Sequence, residues 1–367
     1  MRLNHVGGPD MAPQVAQAKG ATPPSDSPGQ RSEAPRGTRG APRSPFRRQT
    51  LAVVLIVVLA LLLSLPLVGG DYYIYIFALT FTNVILAASL RPSLTCGQLN
   101  IGHSAFMCVG AYTSALLAKN LGVPFEVSLL AGALLAAAVG LAIGYPSLRL
   151  RGVYFAMVTV AFVEAIRLIA SIWVPLTRGN AGLSGVPKPT VLGITLATKT
   201  SQYYLALFLM LVVLLILYKL EHSRLGLVWK SIGMADNLAQ SLGVNIANYK
   251  LLAFTLGCFF AGVAGAFYAH FIRFLFPPEF GFLLATNILV YNFVGGRGHF
   301  VGPIVGAVFL SLLSEPFRGS PYETIFFSLA MLLTILFLPG GLITLPGKLA
   351  GLRLWNAASA HRPSPAA

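Results

Sequence analysis

Glu164 and Arg167 lie three residues apart inside the apolar run 152–173. At i and i+3 they share one helix face, where the pair can neutralise itself, and charges at that depth face protein or water rather than lipid. Two readings stay open: an ion pair that fixes helix packing, with Arg167 reaching outward near Trp173, or a station on a solute path. Gln98, Asn100 and Ser104 form a second set, in the stretch Gly97-Gln98-Leu99-Asn100-Ile101-Gly102-His103-Ser104. Uncharged amides and hydroxyls can line a polar path without trapping what passes, so these three are also candidate path residues. Tyr154 and Thr159, with the 177–183 loop, are expected to shape an outer vestibule or meet a soluble partner. His103 reads either as a histidine satisfied by free groups at a broken helix end or as a pH-sensitive gate.

No covalent chemistry is legible. The sequence has no G-x-x-x-x-G-K-[ST] loop, no His/Asp/Glu cluster at metal spacing and no nucleophile beside a base. Cys96, Cys108 and Cys258 are odd in number and scattered in apolar context, which argues against a disulfide framework or a zinc cluster. The chain therefore reads as a protein without enzymatic activity, cofactor or metal, whose energy source is external.

The elements that position these residues follow from composition. Of 367 residues, 56% are hydrophobic and 10% charged, against about 25% charged in a soluble domain. The fold class expected is an all-α polytopic membrane protein. At ~20 residues per crossing, spans fall near 51–69, 72–90, 99–118, 125–146, 152–173, 202–219, 250–271, 280–296, 301–316 and 323–342, ten in all. The short 301–316 run and the polar approach 91–105, with Arg91, Gln98, Asn100 and His103, predict broken or re-entrant helices. Residues 1–48, rich in Pro, Gly, Ser and Ala, read as a disordered basic tail, 49–346 as the transmembrane domain and 347–367 as a C-terminal tail. The first apolar run begins too far into the chain for a secretory signal and is read as a retained anchor.

The formal net charge of +15 is a topology signal. Placing the N-terminus in the cytoplasm puts 19 of the 26 Lys/Arg on the inside and six outside, with Arg167 within a span. Nucleic-acid binding would need basic residues interleaved with aromatics on one surface, and the charges are not arranged that way. Gly102–Leu117 is echoed by Gly298–Leu313 at a constant offset, with seven of sixteen positions identical. The echo is either coincidence of common membrane residues or a duplicated hairpin in parallel repeat. Gly257, Ala261 and Gly265 form a small-residue row, for packing within the chain or against a second subunit.

The inside segment 221–245 is too short to span. Ile232, Ala235, Leu238, Ala239 and Leu242 fall at helical spacing, which predicts one amphipathic helix over 226–243 stopped by Gly243. Small Ala239 on the stripe and few flanking positive charges favour docking on a protein over lying on lipid.

From Gly97 to Leu342 the chain resembles the M-type (LivM-like) integral membrane permease of bacterial branched-chain amino acid ABC importers. The resemblance is carried by 97–106 with Gly110-Ala111-Tyr112, Leu148–Ala156, Thr177–Leu183, Leu242–Asn245, Tyr249–Phe254, Ala261–Gly265, Gly295–Gly298 and Gly302–Ala307. It implies an inner-membrane permease that moves branched-chain or related amino acids, with a second permease chain, two cytoplasmic ATPase subunits and an extracytoplasmic binding protein. It also implies that 226–243 is the helix coupled to the ATPase, through Trp229, Ile232, Ala235, Asp236, Leu238, Ala239, Leu242 and Gly243. Leu238 stands where Ala is usual in that pattern, Gly233 where Arg is common and Met234 where an acid is common. A permease for urea or a short amide is the nearest alternative, and a stand-alone secondary transporter or channel a more distant one.

Overall fold

In a computed structural model, the structure describes residues 60, 62–66, 70–150, 152–191, 193–317, 323–337 and 340–344. Most of the expected 51–69 span, and both expected tails, lie outside them. The principal helices are α1 (Asp71–Thr95), α2 (His103–Leu121), α3 (Phe125–Ser147), α4 (Val153–Ile172), α5 (Lys199–Glu221), α6 (Arg224–Met234), α7 (Asp236–Ser241), α8 (Ile246–Ile272), α9 (Phe282–Gly295), α10 (Gly302–Ser314) and α11 (Glu323–Phe337).

Each later expected span overlaps one of these helices, because apolar runs this long can satisfy their backbone in lipid only as helices. Their ends are set by local chemistry. Thr198 accepts a hydrogen bond from Ser201 N at the start of α5, and Asn245 does the same for Asn248 N at the start of α8. Among the described residues, α1, α3, α4, α5 and α8 are long and apolar enough to cross a membrane by length and composition. Helices α9 and α10, with 14 and 13 residues, reach only about 20–21 Å at 1.5 Å per residue, short of a ~30 Å hydrocarbon core. The expected break before α2 is narrower than 91–105: α1 continues through Arg91 and Pro92 to Thr95, and only 96–102 is non-helical.

Helix α8, 27 residues long, is the axis of the bundle and packs on α1, α2 and α3. Backbones meet directly at its crossings. A Cβ at Gly110 of α2 would collide with the Gly262 backbone, and one at Gly265 with the Met107 carbonyl. A Cβ at Gly257 would lie 2.8 Å from Ser89 O of α1. The Gly257–Ala261–Gly265 row is thus occupied by this chain's own helices. The same device joins α9 to α10, where Gly306 abuts the Tyr291 carbonyl, so the two echoed Val-Gly-Ala triplets both serve close helix crossings. Elsewhere the echo diverges: His103 is buried at the start of α2, whereas His299 is exposed in a turn before α10.

At the C-terminal end of α8 the chain folds a small polar cap. Strands β1 (Leu183–Ser184) and β4 (Phe274–Leu275) pair antiparallel, as do β2 (Thr190–Val191) and β3 (Ile194–Thr195). Lys119 donates to Ser184 O at 2.6 Å and Arg273 to Val186 O at 3.1 Å, while His270 bridges Ser114 and Pro187 O. Helices α6 and α7 lie at the other end of α8.

Candidate coupling and translocation sites

The 96–102 break is held in shape by the residues singled out for a path. Gly97, at φ 75°, ends α1: its N–H donates to Leu94 O at 3.1 Å and the Gln98 N–H to Ser93 O at 3.0 Å, the paired bonds of a Schellman stop. Asn100 Oδ1 accepts from Gly102 N at 2.7 Å, and its amide contacts His103 Nδ1 at 3.1 Å. His103 Nε2 lies 3.2 Å from Ser89 Oγ, which donates onward to Leu86 O. With Nδ1 accepting from the amide, the imidazole is neutral and protonated on Nε2. Thr159, from α4, accepts from Ile101 N at 3.2 Å and donates to Ala156 O at 2.8 Å. The polar atoms of Asn100 and Thr159 are thereby engaged in pinning the loop. Gln98 Oε1 and Ser104 Oγ, with the nearby Ser93 Oγ, are buried without a partner.

Gln98 opens onto a cavity of about 650 Å³ that also carries Arg149, Phe155, Asp236, Gln240, Gly243 and Lys250. One candidate path residue therefore shares a chamber with two candidate coupling residues. Asp236 is bound to Lys250 at 2.6 Å, which ties the start of α7 to α8. Tyr154 is exposed in the first turn of α4, the same end as this chamber. The expected grouping of Tyr154 and Thr159 with the 177–183 loop does not occur, because a 20-residue helix separates Tyr154 from that loop.

The 226–243 segment is two helices, not one. Ala235 is extended, at φ −158° and ψ 101°, and divides α6 from α7. The expected single stripe divides with it. Trp229, Ile232 and Ala239 face the chain's interior at 1%, 2% and 3% exposure, and Trp229 Nε1 donates to Tyr249 O at 3.2 Å. Ala235, Leu238 and Leu242 are exposed, the two leucines at 66% and 79%. Small Ala239 thus makes room for α7 against its own chain, and the exposed apolar surface is that of Leu227, Met234, Leu238 and Leu242. Gly243, at φ 81°, stops α7 with bonds from Gly243 N to Gln240 O and Val244 N to Ala239 O, a second Schellman stop. Gly233 also has a cause: a Cβ there would collide with the Thr95 carbonyl at the end of α1.

A buried charge network joins these helices to the bundle. Arg91 binds Glu221 twice, at 2.6 and 2.9 Å, and donates to Arg297 O at 3.1 Å. Their side chains are only 6% and 9% exposed, and Lys230 of α6 stands 3.5 Å from the same carboxylate. The sequence signal was available: two opposite charges, each at the end of an apolar run. Nothing in the spacing paired them, because they lie 130 positions apart.

Glu164 and Arg167 do form an ion pair, at 2.6 Å and partly exposed. The second carboxylate oxygen accepts from Phe282 N at 3.2 Å, so Glu164 places negative charge at the N-terminus of α9, where free amides and the helix dipole favour it. Of the two open readings, this geometry matches the packing one. The three cysteines are buried and unpaired, and among the described residues no group of His, Cys, Asp and Glu could hold a metal ion.

A helical bundle with several helices long and apolar enough to cross a membrane, a small cap at one end and an apolar-tipped helix pair at the other is consistent with an all-α membrane permease. Residues 72–337 match the family described as branched-chain amino acid transport system / permease component, and the chain belongs to that family. It is 31% identical over 337 residues to the high-affinity branched-chain amino acid transport system permease protein LivM of Escherichia coli K12, covering 85% of this chain and 78% of that one. It is 30% identical to LivM of Salmonella typhimurium, over 81% and 75% of the two chains. The ribose import permease protein RbsC of E. coli K12 is 22% identical over 79% of this chain and 92% of its own. No solved structure matches.

Proposed function

We propose that this chain is the M-type permease subunit of an ATP-driven importer of branched-chain or related amino acids in a bacterial inner membrane. It works with a second permease chain, two cytoplasmic ATPase subunits and an extracytoplasmic binding protein. Residues 49–346 form the transmembrane domain, and 1–48 and 347–367 are tails on the cytoplasmic side. The relatives' names supply the solute class; the form of α6 and α7 supports the energy source.

The observation that carries the reading is the divided amphipathic segment. Trp229, Ile232 and Ala239 fasten it to the bundle, while Met234, Leu238 and Leu242 present apolar surface at the end of the bundle that holds Arg91 and Glu221. Closure of the ATPase pair pushes on α7. Asp236–Lys250 passes the displacement to α8, and Lys230–Glu221–Arg91 passes it from α6 to α1. Substrate released by the binding protein crosses between the permease chains, and the permease itself makes and breaks no covalent bond. A stand-alone transporter would need a coupling carboxylate in mid-membrane, and Glu164 is already held by Arg167 and the Phe282 amide.

The test is Leu238→Asp with Leu242→Asp. Both side chains are exposed, so the chain is expected to insert and purify normally while ATPase co-purification falls at least about tenfold, as when desolvated apolar anchors are lost. Unchanged co-purification, or uphill uptake by this chain alone in vesicles, would remove the reading.

A further inference from the structure

A second polar opening lies away from the 96–102 break, between α1, α9, α10 and α11. It is a groove of about 360 Å³, within the size range of small-molecule sites. Its walls carry Asn83, Thr286, Asn287, Ser311, Ser314 and Glu315. Asn83 is at the midpoint of α1, about 18 Å from either end at 1.5 Å per residue. Its amide donates to Ser311 Oγ at 3.0 Å, which leaves its carbonyl oxygen able to accept another bond. Asn287 has no hydrogen-bond partner among the described residues and is half-buried.

Amides and hydroxyls at that depth are poorly served by lipid, and membrane proteins keep such groups for surfaces that face protein or water. The groove has a direction. Glu315 follows α10 at the end of the bundle that holds the start of α1, where Tyr72 OH contacts it at 3.4 Å. That end is opposite to Arg91 and the helix pair that ends in Met234, Leu238 and Leu242. A carboxylate at the rim thus leads to neutral amides and hydroxyls further in, and Leu79, Leu284 and Met331 supply apolar wall.

We propose that this groove is the permease's own recognition site for an α-amino acid with an aliphatic side chain, entered from the end bearing Glu315. The Asn287 amide donates to the carboxylate, Asn83 and Thr286, whose protons are already given to Ser311 Oγ and Phe282 O, accept from the ammonium group, and the apolar wall takes the side chain. Neutral donors at depth bind weakly enough to release solute onward. The inference rests on the importer reading and adds to it where, on this chain, selection occurs after the binding protein has let go.

The experiment uses the complete importer, with its ATPases and binding protein, in vesicles supplied with radiolabelled L-leucine. Asn287→Leu is expected to lower leucine moved per ATP hydrolysed about tenfold or more, the size expected when a hydrogen bond to a charged ligand group is lost, with subunit assembly intact. Should Asn287→Leu fail to assemble, Asn287→Cys decides. Its reaction with a charged, water-soluble thiol reagent, slowed by leucine during turnover, supports the groove, with Leu215→Cys on the exposed flank of α5 as the unreactive comparison. Unchanged transport by assembled Asn287→Leu, or an inert Asn287→Cys, overturns it. If the unmodified importer moves no leucine, the importer reading falls and the groove's assignment with it, and that result is distinct from a defect confined to the variants.

Discussion

The polar side chains inside this bundle divide by whether their partners are already in the chain. Asn100, His103 and Thr159 are committed to shaping a loop, and Glu164 to a helix start, whereas Gln98 and Ser104 keep unpartnered atoms. Arg91 and Glu221 are the costliest commitment, because a buried charge stripped of its partner is destabilising by about 3–5 kcal/mol. Arg91→Met alone, or Glu221→Gln alone, is therefore expected to lower the thermal midpoint of the detergent-solubilised protein sharply. The double replacement Arg91→Met with Glu221→Met should recover much of the loss; a double variant no better than either single one would contradict this account. The sequence displayed each of these residues as a polar intruder in an apolar run. It did not display the pairings, since Arg91–Glu221 and Glu164–Phe282 close over separations of 130 and 118 residues.

Helices were legible where lipid leaves the backbone no alternative, and α1, α3, α4, α5 and α8 fall close to the expected runs. The division at Ala235 was not legible. Alanine is the best helix former, and the apolar spacing continues across it, so neither propensity nor period marks the extended residue. The β1–β4 pairing was equally hidden, since two-residue strands have no period to read. Glycines at the helix pair separate two kinds of need. Gly243 has open space around it and a left-handed backbone, so Gly243→Ala should cost about 1 kcal/mol of strain. Gly233→Ala drives a methyl into the Thr95 carbonyl and should cost more, about 1–3 kcal/mol as for other overpacked sites. Thermal unfolding of the two variants side by side measures the order, and the reverse order would show that α6 does not sit on the end of α1 as described.

At the scale of the molecule, the helix pair and the cap define two ends, and the proposed orientation puts the helix pair inside. A cysteine introduced at Asn237, exposed on α7, should resist membrane-impermeant thiol reagents in intact cells and react in inverted vesicles. Labelling from outside would reverse the topology. The native cysteines do not interfere, because all three are buried. The glycine crossings carry a mechanical consequence. Where α2, α3 and α8 touch backbone to backbone, there are no side chains to slip past one another, and the three behave as a single stiff plank. Helices α9 and α10 are laminated in the same manner into a second, smaller board. On the proposed importer reading, alternating exposure is a change of angle between these boards, with α1, whose side chains meet α9 and α10, as the pin between them.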